Sequence, residues 1–178
     1  MFNQTETQIK DVLLGTTAPH PEVATADQTL DDGALEIVGI GPATGSTIAP
    51  GAKVDLHVYF HVTRPTEQVY KFLLSVWPVD TNQFKPTDAA PATVIRSSSR
   101  ATANGFFASS HWHAGEYIRE RFTLQIPGGW TGDGLVLGLV ATDTGGKKAA
   151  ATGPAPSNDA ATLVLGVLPM GSQASHHP

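Results

Sequence analysis

At 178 residues, 40% hydrophobic and 15% charged, the chain holds enough apolar material for one globular domain with decorated ends and too little for a second. It contains no cysteine, which excludes disulfides, thiolate metal sites and thiol nucleophiles. The net charge of −5 sits entirely in residues 1–33, where Glu6, Asp11, Glu22, Asp27, Asp31 and Asp32 stand against Lys10 alone; such a leader disfavours nucleic acid and suits a basic protein surface.

The start, Met1 to Glu6, has neither a basic n-region nor an apolar h-region, and no later apolar run approaches the roughly 18 residues of a spanning helix. The chain is therefore expected in the cytoplasm or at the cytoplasmic face of a membrane, unless an N-terminal anchor has been trimmed. Residues 2–14 read as a short amphipathic helix with Phe2, Ile9, Val12 and Leu13 near one face, ended by Gly15. Residues 16–33, with Pro19, Pro21 and a run of acids, read as an extended arm with no core of its own. The organisation expected is an acidic arm over 1–33, a β-sandwich over 34–168 and a polar tail over 169–178.

Ala34–Ile40 reads as a first strand, ended by a Gly41-Pro42 break. In Lys53–Val62 the alternation puts Leu56, Val58, Phe60 and Val62 on one face and Asp55, His57, Tyr59 and His61 on the other, one buried and one wet. Val69–Val79 is apolar on both sides and so central, and its Trp77 resembles the core tryptophan of immunoglobulin-like sandwiches, without their paired cysteines. Ala92–Ala103 and Phe106–His113 flank Asn104-Gly105, a strong hairpin signal, and Ser97 to Ser99 make this an edge hairpin. Tyr117–Ile126 alternates, with Ile118, Phe122, Leu124 and Ile126 inward and Glu120 as the exception. Gly134–Thr142 is aliphatic enough to be central, Lys147–Ala160 reads as a loop, and Ala161–Leu168 as the last strand. The fold expected is all-β: an immunoglobulin-like antiparallel sandwich of about seven or eight strands with extended N- and C-terminal arms.

Few motifs carry chemistry. Gly39-Ile40-Gly41-Pro42-Ala43-Thr44-Gly45 follows a strand, but a dinucleotide loop needs a helix N-terminus directly after its glycines, and Pro50-Gly51 leads instead into another strand; the glycines read as turn residues. His111 and His113 would share a strand face about 7 Å apart, the best metal candidate, needing a third ligand from Glu116, His57 or His61. The bland alternative is a pair of solvent-facing histidines beside a core Trp112. No nucleophile elbow is present. Glu120 on an inward face needs a partner, for which Arg96, Arg100 or a neighbouring backbone group are candidates, and this reads as a structural ion pair in preference to a catalytic acid, since no second carboxylate is placed to work with it. Tyr117, Arg119 and Arg121, with Thr123 and Gln125, form a polar, cationic strip on the outward face. Trp130, in the Pro127–Trp130 turn, is either a loop anchor or an exposed contact.

The run Trp112-His113-Ala114-Gly115-Glu116-Tyr117 through Gln125-Ile126-Pro127, followed by Gly134–Asp143 and Gly145, resembles a C-terminal module of some bacterial multi-spanning membrane glycosyltransferases. The resemblance spans residues 112–146, implies an immunoglobulin-like accessory fold with Glu120 as the strand acid, and carries over no transferase chemistry. The function expected is that of a non-enzymatic structural subunit without cofactors, docked through residues 1–33 and 169–178 on a larger protein assembly, such as a photosynthetic or respiratory membrane complex. Deleting 1–33 is then expected to spare the fold. The alternative is a carbohydrate- or lipid-headgroup-binding module using Tyr117, Arg119, Arg121 and Trp130.

Overall fold

The computed structural model describes residues 4–172. The amphipathic start forms helix α1 (Gln4–Val12), and the chain leaves it directly as strand β1 (Leu13–Gly15). Nine residues are too few for a stable isolated helix. The helix is held because Ile9 and Val12, with Leu13, pack on the core.

The segment read as an extended arm is extended, and it lies along the body. Val23–Ala24 (β2) and Thr29–Leu30 (β3) both pair with β4 (Leu35–Pro42), and Leu30 is buried in the core. Strand β5 (Lys53–Val62) follows, then β6 (Lys71–Val79). Two-residue strands β7 (Ile95–Arg96) and β8 (Arg100–Ala101) precede 3-10 turns at Thr102–Gly105 and Ser109–His111. The chain closes with β9 (Tyr117–Gln125), β10 (Gly134–Thr142), β11 (Ala151–Thr152) and β12 (Leu163–Pro169).

Two antiparallel sheets result. One runs β1-β9-β5-β4-β3-β11, with β2 also on β4; the other runs β12-β10-β6-β7, with β8 also on β6. Neither closes into a barrel, and their apolar faces share one core, with Leu56, Val58 and Phe60 of β5 and Phe72, Leu74 and Val76 of β6 all fully buried. The fold is thus all-β, with two sheets stacked on one another. As the aliphatic run required, β10 is central.

Four expectations fail locally, each for a physical reason. The hairpin at Asn104-Gly105 does not form: those residues lie in a 3-10 turn, and the β6 edge is capped by serine hydroxyls in place of a long partner strand. Ser97 Oγ accepts from the Leu74 amide at 3.0 Å, and Ser109 Oγ accepts from the Tyr70 amide at 2.8 Å while donating to the Gln68 carbonyl at 2.7 Å. Side-chain hydroxyls of this kind blunt a sheet edge as well as a short strand would. Gly39 and Gly41 are strand residues of β4, because Pro21 and Glu22 cross directly over them and a Cβ at Gly39 would overlap the Pro21 ring. Trp77 faces away from the shared core, in a small outer cluster with Val136 and Val164. The tryptophan between the sheets is Trp112, stacked on Phe72 at 6.1 Å and donating its indole N–H to the Phe107 carbonyl at 3.1 Å. The loop 147–160 supplies β11, which pairs with β3.

The start of the C-terminal tail is fixed to the body: the Gly171 amide donates to Ile48 O at 2.7 Å and the Ile48 amide to Ser172 O at 3.0 Å. Residues 173–178 lie outside the described residues. No described helix is long and apolar enough to cross a membrane.

Candidate functional site

The β5–β9 register sets the outward face of the first sheet. His61 lies opposite Tyr117, Tyr59 opposite Arg119, His57 opposite Arg121, and Asp55 opposite Thr123. Cross-strand neighbours on one face stand within side-chain reach, so alternation alone assembles a polar ladder here. Its rungs are tied together. The Arg121 guanidinium and the Thr123 hydroxyl both donate to the Asp55 carboxylate, and the Arg121 bond, the largest influence, lowers the Asp55 carboxyl's affinity for a proton. Tyr59 Oη meets His57 Nδ1 at 3.3 Å, His61 Nδ1 meets Glu36 Oε2 at 2.8 Å, and the His61 and Tyr117 rings stack at 4.6 Å.

The N-terminal segment arches over this face and makes it concave. α1 flanks β9, and Arg119 donates from Nε and Nη2 to the Asp11 carbonyl at 3.1 and 2.6 Å, clamping the helix end. On the other side of Arg119, residues 20–24 cross β4. A cleft of about 430 Å³ opens between α1 and this face, lined among others by Gln8, Asp11, Thr44, His57, Arg119 and Arg121. A smaller hollow of about 100 Å³ shares Thr44, His57 and Arg119 and extends it toward His20, Glu22 and Tyr59.

His57 is the floor of both spaces. It is 8% exposed, and burial, reinforced by the neighbouring Arg119 and Arg121 guanidiniums, holds its imidazole down at about 4, so it is neutral at physiological pH. Gln8 Oε1 is buried without a hydrogen-bond partner. The cleft thus offers donors and acceptors, with the Arg121 charge offset by the Asp55 carboxylate and the Arg119 guanidinium occupied by the Asp11 backbone carbonyl.

Directly behind the cleft, on the inward face, Glu120 is 1% exposed. Burial pushes its carboxyl up to about 7, against the pull of the Thr102 hydroxyl and the Arg100 guanidinium. Of the two arginines expected as partners, Arg100 is the one, with Nε 3.5 Å from Glu120 Oε1 and Nη2 donating to the Arg121 carbonyl. Thr102 Oγ1 and Glu120 Oε2 are both buried, the hydroxyl close enough to lower the carboxyl's proton affinity but short of hydrogen-bond geometry with it.

The other sequence candidates fall elsewhere. Ile9, Val12 and Leu13 face the protein's own core, and Phe2 lies outside the described residues. His111 ends a 3-10 turn and so does not share a strand face with His113, which is exposed and tied to Glu116, its backbone N–H donating to Oε2 at 2.7 Å and its Nδ1 3.3 Å from Oε1. Among the described residues no group of three or more His, Cys, Asp or Glu could hold a metal ion. Trp130 packs partly against the core as a loop anchor and does not line the cleft. The strip residues Arg119 and Arg121 do meet in one place. Gln8, Thr44 and the N-terminal wall were not legible beforehand, because they arrive through contacts distant in the chain.

No family model matches the chain, and no curated protein matches it. Among solved structures it is similar to AvmM, described as catalysing macrocyclization in alchivemycin A biosynthesis, with 9% identity over 90% of this chain and 99% of that one at a TM-score of 0.40. A likeness of that degree carries no argument about activity.

Proposed function

We propose that the protein is a non-enzymatic accessory module of immunoglobulin-like type whose cleft binds a neutral, hydroxyl-rich ligand, a carbohydrate. The carrying observation is the convergence of Gln8, neutral His57, Arg119 and Arg121 on one cleft of about 430 Å³, where Arg121 is already paired with the Asp55 carboxylate and Arg119 already hydrogen-bonded to the Asp11 carbonyl. A phosphate or other bare anion gains little where each guanidinium is already engaged, whereas a sugar hydroxyl both donates and accepts and fits a wall of mixed polar groups. The resemblance of residues 112–146 to a glycosyltransferase accessory module points the same way. The test is thermal melting of the full chain across neutral glycans, acidic glycans and anionic lipid vesicles. A ligand at a hundredfold its dissociation constant stabilises by about 2.7 kcal/mol, and Gln8→Ala should remove the response. Flat curves would refute the reading, and a response to vesicles alone would replace it with headgroup binding.

A second reading keeps the protein as a structural subunit of a larger assembly, such as a membrane complex, docked through residues 1–33 and 169–178. The observation favouring it is that the whole net charge of −5 lies in 1–33, where Asp11, Glu22, Asp27 and Asp32 are exposed. Charge-neutral replacement of these four should abolish salt-sensitive association with the assembly, and unchanged incorporation would count against it.

A further inference from the structure

The wall of the cleft that adjoins α1 is tied to a buried acid. Arg100 of β8 holds Glu120 and the Arg121 carbonyl; three residues on, Ala103 lines the cleft, and α1 packs against the same Thr102–Gly105 turn. Thr102 is fully buried between them. Ala103 adopts φ +50°, a left-handed conformation that costs a non-glycine residue free energy and persists only where its neighbours impose it. The strap 100–105 is therefore strained at the residue that faces the cleft and fastened at the residues that face Glu120.

Resting on the carbohydrate-cleft reading for its consequence, we propose that Glu120, with Arg100 beside it, is a proton-operated latch: a protonated Glu120 lets the strap 100–105 that walls the cleft stay closed over it, and an ionised Glu120 favours its release. Arg100 is the charged group that faces the carboxyl. Opposite it in β5 stands Val58, and opposite Arg100 in β6 stands Phe72, both apolar; Arg96 of β7 is exposed, and Arg121 and His57 face outward. Proton uptake at Glu120 leaves a neutral acid that burial under the strap favours, whereas proton loss leaves a carboxylate whose burial costs more than the attraction of Arg100 returns. Burial places this exchange at about 7, where ordinary pH changes operate it.

The test is hydrogen exchange on the full chain at about pH 6 and about pH 8, corrected for intrinsic exchange, since it needs no ligand. Strap amides 101–106 should be about tenfold better protected at the lower pH, while the β10 amides do not follow that change. Glu120→Gln should abolish the strap's pH response. Should that variant fail to fold, Arg100→Gln, altering a side chain that is 37% exposed, should carry the response to higher pH, because the carboxylate loses its countercharge. Equal protection at both pH values, a response of the opposite sign, one surviving Glu120→Gln, or one left unmoved by Arg100→Gln overturns the latch. Flat glycan melts with a working latch would instead refute the ligand reading alone.

Discussion

Glu120 and His57 sit one rung apart on opposite faces of the β5–β9 pair, and burial displaces their proton affinities in opposite directions. The His57 imidazole is held at about 4 against an ordinary 6.5, so the folded state binds fewer protons than the unfolded one between those values and stability rises with pH. The Glu120 carboxyl is held at about 7 against an ordinary 4.5, so the folded state binds more protons and stability falls as pH rises. At 1.36 kcal/mol per pKa unit, each group swings stability by about 3 kcal/mol. Their windows overlap between 4.5 and 6.5, where the two slopes cancel. The wild-type protein should therefore show nearly constant unfolding free energy there, although both groups titrate strongly. Glu120→Gln should uncover the histidine alone, giving a protein that gains about 3 kcal/mol on going from acid toward neutral pH. His57→Gln should uncover the acid alone, giving one that loses a similar amount over its own range. Urea melts at several pH values, with the slope of each variant compared with wild type, measure this directly. A Glu120→Gln variant whose slope equals that of wild type would show that the buried-acid argument is wrong, and one whose stability stays flat or falls with pH would show the same of the buried histidine.

Other perturbations follow from packing. Gly39→Ala should cost about 1–3 kcal/mol in chemical denaturation, because the new methyl overlaps Pro21 and residues 20–24 must lift from β4; hydrogen exchange at Val23 and Ala24 should rise with it. Trp112→Ala should cost about 3–5 kcal/mol, whereas Phe106→Ser, at a side chain 54% exposed, should fall within about 0.5 kcal/mol of wild type in the same melts. Deleting residues 1–15 should leave a folded sandwich with weakened β9, while deleting 1–33 also removes Leu30 and β3 from the core and should abolish cooperative unfolding. Asp55→Asn should cost about 1 kcal/mol or less and shift glycan selectivity toward acidic sugars, read by the melting panel, because Arg121 loses its carboxylate.

The periods of two in β5 and β9 and the aliphatic run of β10 were readable because alternation is set by the chain alone, and one sheet face buried against another then fixes which side is in. The same logic singled out Glu120 as an inward acid and named Arg100 among its partners. What escaped was decided by long-range contact. The Asn104-Gly105 pair is a hairpin signal only where two strands are free to pair across it, and here Ser97 and Ser109 already satisfy the β6 edge while Arg100 is drawn to Glu120. Gly39 and Gly41 look like turn residues until Pro21 and Glu22 are seen to lie on them. Trp77 and Trp112 have the same chemistry, and only the stacking of the sheets tells which one is inside.

Two of these misses border β9: residues 20–24 lie on β4 beside Arg119, and the 100–105 strap reaches Glu120 from behind. A strand that carries Arg119 and Arg121 outward and Glu120 inward needs countercharges or polar partners on both faces, and the chain supplies them with Asp11 and Asp55 outside and Arg100 and Thr102 behind. The cleft is the gap those partners leave. Its shape and its protonation are consequently two expressions of how one polar strand is accommodated in an apolar sandwich, and a change at Glu120 must be felt at Ala103 because the residues that neutralise the acid also hold the wall.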